Sequence, residues 1–175
     1  MISDRELADG CVQQKRAFQK ALFDRFAGPM LALCRRYTAD KMEAEDMVQD
    51  AFIKVFERIG QFQNGSLAGW MRKIFIHTCI SNFRKKHLEW VDFDEDMNVF
   101  ANDDILERLE NTDFLLLLES LPPASRMVFN LFALEGYDHS EIAGMLNIAE
   151  GTSRAHVAQA RKLLQSKTHL KLNKA

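Results

Sequence analysis

An all-α fold, arranged as two small helical domains joined by an acidic linker, follows from where apolar residues recur, where cap residues and prolines fall, and how charge is segregated. The chain has 175 residues, 47% of them hydrophobic, enough for a buried core and suited to one domain or two small ones. Apolar residues return at helical spacing along most of its length.

The first domain is expected over residues 8–88. Its first helical stretch carries Leu22, Phe26, Met30, Leu33 and Tyr37. Gly28 and Pro29 are expected to bend or break it, because proline lacks an amide proton and its ring collides with the preceding turn. "DKME", Asp40 to Glu43, fits a capping box: the Asp side chain accepts a helix-start amide and Glu43 reaches back to the cap. Ala44, Val48, Ala51, Val55 and Ile59 follow at helical spacing until Gly60 offers a stop. A third stretch begins near Ser66 and carries Leu67, Met71, Ile74, Ile80 and Phe83.

"WVDFDEDMNVFANDD" has neither period nor apolar face, which makes residues 89–103 the linker. A second domain is expected over residues 104–170. Its first helix, from about Asp104 to Leu121, stops at Pro122 and Pro123. Another runs from there to about Leu134, with Gly136 just beyond. "DHSE", Asp138 to Glu141, offers a second capping box and opens "SEIAGMLNIAEGTSRAHVAQARKLLQ". Ile142, Ala143 and Leu146 form an apolar stripe on the first helix of that stretch. Asn147 sits at the corner, where a left-handed backbone is usually supplied by Gly and tolerated by Asn. On the second helix Ser153, Val157, Ala160 and Leu164 share one side. Thr152, Ala155, Gln159 and Lys162 face the other way, flanked by His156. The spacing fits a DNA-binding helix-turn-helix, with an ordinary helical hairpin as the alternative, and the basic, acid-free tail favours the former.

A net charge of -2 conceals strong segregation. Between Trp70 and Leu88 the charged residues are Arg72, Lys73, Arg84, Lys85 and Lys86, without an acid. Glu89 to Asp113 holds ten acids, among them Asp92, Asp94, Glu95, Asp96, Asp103 and Asp104, against Arg108 alone. Thr152 to Ala175 carries Arg154, Arg161, Lys162, Lys167, Lys171 and Lys174, again without an acid. Two basic blocks flanking an acidic one point to two polyanion-facing surfaces and a segment that avoids nucleic acid or meets a basic partner.

Several function classes drop out. There is no Gly-rich phosphate loop, no HExxH and no nucleophile elbow, and His77, His87, His139, His156 and His169 have no ligand spacing. No enzymatic activity and no cofactor are expected. Cys11, Cys34 and Cys79 lie far apart and read as small buried hydrophobes, implying neither disulfides nor zinc. No apolar run approaches the ~20 residues that span a bilayer, and "MISDRELADG" lacks the basic and apolar regions of a secretion signal. The expected location is cytoplasmic.

"LPPASRMVFNLFALEGYDHSEIAGMLNIAEGTSRAHVAQARKLLQ" resembles region 4 of the extracytoplasmic-function (ECF) subfamily of bacterial sigma factors, in the sigma-70 family. "AEDMVQDAFIKVFERIGQF" followed by "GWMRKIFIHTCISNFRKK" resembles that subfamily's region 2. The resemblance covers about residues 14–167, with the two regions in the expected order. It implies a dissociable subunit that gives RNA polymerase its promoter choice. The implied partners are core RNA polymerase, promoter DNA and an anti-sigma factor, membrane-anchored or not, with no small-molecule substrate. The implied state is a monomer when free, or a 1:1 complex with the anti-sigma factor.

Family roles carry over position by position. The resemblance places Asp46, Gln49, Asp50, Phe52 and Phe56 at the polymerase clamp; the alternative has Phe52 and Phe56 in the core and the acids solvated. It places Trp70, Arg72, Lys73, His77, Arg84 and Lys85 on the face that captures the minus-10 strand. Trp70 there is either a stacking platform or a core residue. His77 stands where many relatives have Asn, and Ser81 where many have Asp. For the minus-35 element the matching positions are Thr152, Arg154, Ala155, His156, Ala158, Gln159, Arg161 and Lys162. Ala155 offers apolar contact, and Gln159 paired bonds to adenine. Asn147 replaces the usual Gly, Ala149 the usual Ser cap, and Ser153 an aliphatic core residue. A helix-turn-helix regulator that is not a polymerase subunit is the alternative, and it leaves residues 44–86 unaccounted for.

Overall fold

The computed structural model of the chain describes residues 2–86 and 111–172. Every regular element among the described residues is helical. The chain divides into two compact units, Met1–Phe83 and Arg84–Ala175. The linker expected over residues 89–103, and the helix start expected at Asp104, lie outside the described residues.

The first unit is built on α1 (Asp4–Val12), α2 (Arg16–Tyr37), α3 (Lys41–Arg58) and α4 (Leu67–Lys86). Helix α1 begins before the expected domain start at residue 8, and its signal is local. Ser3 Oγ accepts from the Glu6 amide at 3.2 Å while Glu6 Oε2 accepts from the Ser3 amide at 2.9 Å, a complete capping box. Asp4 on its first turn accepts from the Leu67 amide at 3.0 Å and pairs with Arg25 at 3.0 Å. One carboxylate therefore caps the positive end of α4 and ties α1 to α2.

Of the bend or break expected at Pro29 of α2, the break does not occur. The helix runs unbroken through it because Pro29 and Gly28 are exposed, while Leu22, Phe26, Met30, Leu33 and Tyr37 are all buried. Burial of that whole stripe outweighs one lost backbone bond, a cost of ~3 kcal/mol for an interior proline.

Asp40 caps α3 as expected, accepting from the amides of Met42 at 2.9 Å and Glu43 at 3.3 Å. The reciprocal half of that box differs: Glu43 accepts from the Thr38 hydroxyl at 2.8 Å, and Thr38 accepts from the Asp40 amide at 3.1 Å. Ala44, Val48, Ala51, Val55 and Ile59 are buried. Helix α3 ends in a 3-10 turn, Ile59–Gln61, rather than on a left-handed Gly60. Phe52 anchors the core, its ring 4.8 Å from that of Phe23 and 5.3 Å from that of Phe75. Cys11, Cys34 and Cys79 are buried, as expected.

The second unit contains α5 (Asn111–Glu119), α6 (Pro123–Phe129), α7 (His139–Leu146) and α8 (Glu150–Leu172). Helix α5 stops before the two prolines, and buried Arg126 serves its C-terminus, donating to the carbonyls of Glu119 at 2.6 Å and Leu121 at 2.9 Å. Helix α6 does not continue regularly to Leu134. It passes into a π-helical turn, Asn130–Leu134, closed by the Glu135 amide on the Asn130 carbonyl. Gly136 follows with φ of 77°, a left-handed stop that favours glycine. Asp138 forms the expected capping box, and Asn147 turns the corner at φ 56° and ψ 52°. Leu117, Leu118, Leu121 and Phe129 enclose Ala160 and Leu164 of α8.

Candidate nucleic-acid and partner interfaces

On α3 the side chains of Met42, Asp46, Gln49 and Ile53 recur at helical spacing, and all are exposed, as is Asp50. Met42 is 75% and Ile53 56% exposed. The stripe is thus acidic in the middle and apolar at both ends. Sequence reasoning found its acids and missed Met42 and Ile53, whose spacing from Asp46 and Gln49 was the available signal. Phe52 does not belong to it. At 3% exposure Phe52 is core, since its ring is enclosed by Phe23 and Phe75, and its placement at a partner surface is corrected. Phe56 is half-buried, 6.1 Å from the Phe52 ring.

A cleft of about 500 Å³ opens between α3 and α4, lined by Lys54, Arg58, Gln61, Trp70, Lys73, Ile74, His77, Thr78 and Ser81. Three bases and no carboxylate line it, so it attracts polyanions. Trp70 is half-exposed, its ring edge-on to Phe62 at 6.0 Å. This lies between the two expectations for Trp70: one edge of the ring is packed, and the residue still lines open space. Lys54 donates to the Thr78 hydroxyl at 3.0 Å, which in turn donates to the Ile74 carbonyl at 3.0 Å. The structure brings Trp70, Lys73 and His77 together here. Arg72, Arg84 and Lys85 do not line the cleft. Lys54 and Arg58 were missed because they belong to a different helix, although their four-residue spacing puts them on one side of it.

Helix α8 sorts its residues sharply. Ser153, Val157, Ala160 and Leu164 are buried, as expected. Arg154 and Lys162 are exposed, and Thr152, Ala155, Gln159 and Arg161 half-buried. His156 and Ala158 are buried, at 1% and 7% exposure, which corrects their placement on a DNA-contacting face. His156 points instead at α6, where its Nδ1 lies 3.0 Å from Ser125 Oγ. Burial pushes its pKa down to about 4. Ser125 also donates to Gln159 Oε1. Ser153, polar where the resemblance implies an aliphatic residue, is satisfied by His139 Nδ1 at 2.9 Å. His139 stacks on Phe132 at 4.4 Å, and Arg161 lies over that same ring at 5.7 Å. Burial, followed by the nearby Arg154, lowers the His139 pKa. Arg154 pairs with Glu150 at 2.7 Å, both largely exposed.

Family models match in both units. Sigma-70 region 2 matches residues 22–89, and sigma-70 region 4 matches residues 112–164. The chain belongs to the ECF sigma factors. It is an RNA polymerase sigma factor, a DNA-binding protein of transcription initiation. An ECF RNA polymerase sigma factor SigE of Mycolicibacterium smegmatis is 29% identical over 141 residues, spanning 76% of this chain and 54% of that relative. This ECF chain thus spans about half the length of SigE. The RNA polymerase sigma-H factor of Pseudomonas aeruginosa is 27% identical, covering 86% of this chain and 85% of its own. The ECF RNA polymerase sigma-E factor of Escherichia coli K12 is 26% identical, covering 95% and 94%. The fold is shared with CnrH, solved in complex with the cytosolic domain of CnrY, at a TM-score of 0.51 and 19% identity over 95% of this chain and 97% of that one. Among the described residues no helix is long and apolar enough to cross a membrane.

Proposed function

We propose that this sigma factor joins core RNA polymerase through the α3 stripe, captures the single-stranded minus-10 element at the α3–α4 cleft, and reads the duplex minus-35 element with α8. The observation that carries this reading is the cleft, whose only charged lining residues are the bases Lys54, Arg58 and Lys73, with Trp70 beside them. An unpaired base gains from an aromatic platform, and its phosphates gain from clustered bases. Arg84 and Lys85, exposed at the end of α4, extend the basic surface along the strand. On α8, Thr152, Ala155 and Gln159 are positioned for base edges. Arg154, Arg161 and Lys162 serve the phosphates.

The protein does no chemistry of its own in this reading; the catalytic centre belongs to the polymerase. It works in the cytoplasm, as a monomer or held 1:1 by an anti-sigma factor, a partnership supported by the structure of CnrH with the cytosolic domain of CnrY. Transcription in vitro with core polymerase and this protein on promoter fragments tests the whole reading. Specific initiation is expected only when both are present. Operator binding by the free protein, with no holoenzyme formed, would replace it with a regulator.

A further inference from the structure

Adenine offers a base reader one acceptor and one donor in the major groove, so a glutamine needs both its amide oxygen and its amide nitrogen to pair with it. On α8 the oxygen of Gln159 is already engaged. Ser125, fully buried on α6, donates its hydroxyl proton to Gln159 Oε1. The same hydroxyl oxygen lies 3.0 Å from His156 Nδ1. A serine hydroxyl has a single proton to give. With that proton on Gln159, His156 Nδ1 is the protonated ring nitrogen and donates to Ser125 Oγ. A neutral imidazole carries one N–H, and burial keeps this ring neutral, with its pKa at about 4. The result is a directed chain: His156 Nδ1–H to Ser125 Oγ–H to Gln159 Oε1. Its last oxygen is turned toward α6 with one of its two lone pairs taken, while both Nε2 protons remain for an outside partner.

We infer that Ser125 is a specificity-determining residue for the minus-35 element: by engaging Gln159 Oε1 and holding it toward α6, it leaves the Nε2 donors as the groups Gln159 offers outward. Such a reader selects the acceptor edges of guanine (O6, N7) or thymine (O4) over adenine. The inference rests on α8 being the minus-35 helix. It revises the adenine pairing that the sequence alone favours, and gives a buried serine, which touches no DNA, control over one base position.

A promoter library randomised across the minus-35 element, transcribed by holoenzyme containing the full chain, tests it. Gln159→Ala locates the dependent position as the one whose preference flattens. There the wild type should enrich guanine or thymine over adenine by roughly tenfold, the scale of one paired base contact. Gln159→Lys, which can only donate, should keep the preference for guanine or thymine. Ser125→Ala, which releases Oε1, should move the enrichment to adenine. Adenine preferred by the wild type overturns the inference, as does a folded Ser125→Ala protein that keeps the wild-type base. Should Ser125→Ala fail to fold, the wild-type and Gln159→Lys libraries decide. If Gln159→Ala flattens no position while the wild type still selects a minus-35 sequence, the inference falls and the proposed function stands. If the wild-type holoenzyme selects no minus-35 sequence, the proposed function itself falls.

Discussion

Ser153 departs from the sigma family by standing where an aliphatic side chain usually packs, and the structure answers the departure with a partner. A buried hydroxyl costs little once it is bonded, and His139 supplies the bond at 2.9 Å. Ala149, where the resemblance implies a Ser cap, is a second departure. Its carbonyl accepts from the Ser153 amide at 3.1 Å, which puts it at the cap position of α8 with no side-chain acceptor to offer. Ala149→Ser should therefore stabilise the protein by about 1 kcal/mol, read as a higher denaturant midpoint at unchanged slope. His156 makes a prediction of the opposite kind. Its folded pKa, at about 4, lies below the ordinary 6.5, so between those values the unfolded chain binds more protons than the folded one. Stability is then complete above pH 6.5 and falls as pH drops toward 4, by on the order of 3 kcal/mol. Unfolding curves at pH 7.5, 6 and 5 should show this slope, with the contribution of His139 remaining in His156→Gln. An equal slope in that variant would assign the whole effect elsewhere. Neither His156 nor Ser125 was legible as a pair, because they lie 31 residues apart in sequence and only packing of α6 on α8 joins them.

Helices were legible wherever the apolar period ran long, and α3 shows where that reading stops. Of its six buried positions, Ala44, Val48, Ala51 and Val55 were read from spacing and Met47 was not, while Phe52 was placed at the clamp with the core as its alternative and Ile53 was not considered. An aromatic residue beside a polar stripe fits either side of a helix, and the choice is made by Phe23 and Phe75, which lie on other helices. The π-helical turn after α6 was equally hidden, since one extra residue in a turn changes no residue type. Gly136 marked its end and nothing marked its start. The outer stripe of α3 carries a partner prediction. Replacing Gln49 and Asp50 together by Lys reverses its charge without touching the core. It should abolish co-purification with core polymerase while leaving helicity and melting unchanged. Unaltered holoenzyme yield would move the interface off α3. The cleft carries another. Arg58→Ala should weaken holoenzyme binding to single-stranded minus-10 DNA of any sequence and reduce the salt slope by about 1, as expected when one phosphate contact is lost. A change in base preference at an undiminished slope would make Arg58 a base reader instead.

Across the whole chain the clearest signal was charge, because its sign can be read without knowing which residues touch. Two acid-free basic tracts coincide with the ends of the two family regions, one within residues 22–89 and one within and beyond residues 112–164. Between them lie ten acids against one arginine from Glu89 to Asp113. We read these carboxylates as competitors of DNA for both basic tracts in the free protein and as complements of a positively charged groove of the polymerase, the alternative being a solvated tether. Replacing Asp92, Asp94, Glu95 and Asp96 by Asn or Gln keeps side-chain size and removes four charges. Core polymerase should then bind more weakly at low salt, and the deficit should close as ionic strength rises, because exposed charges are screened over ~8 to 10 Å. The free variant should also bind nonspecific duplex DNA more tightly, since an intramolecular competitor for its bases is gone. These two changes run in opposite directions, which a general loss of folded protein cannot produce. Identical affinities of variant and wild type for both partners across the salt series would reduce the acidic segment to a tether.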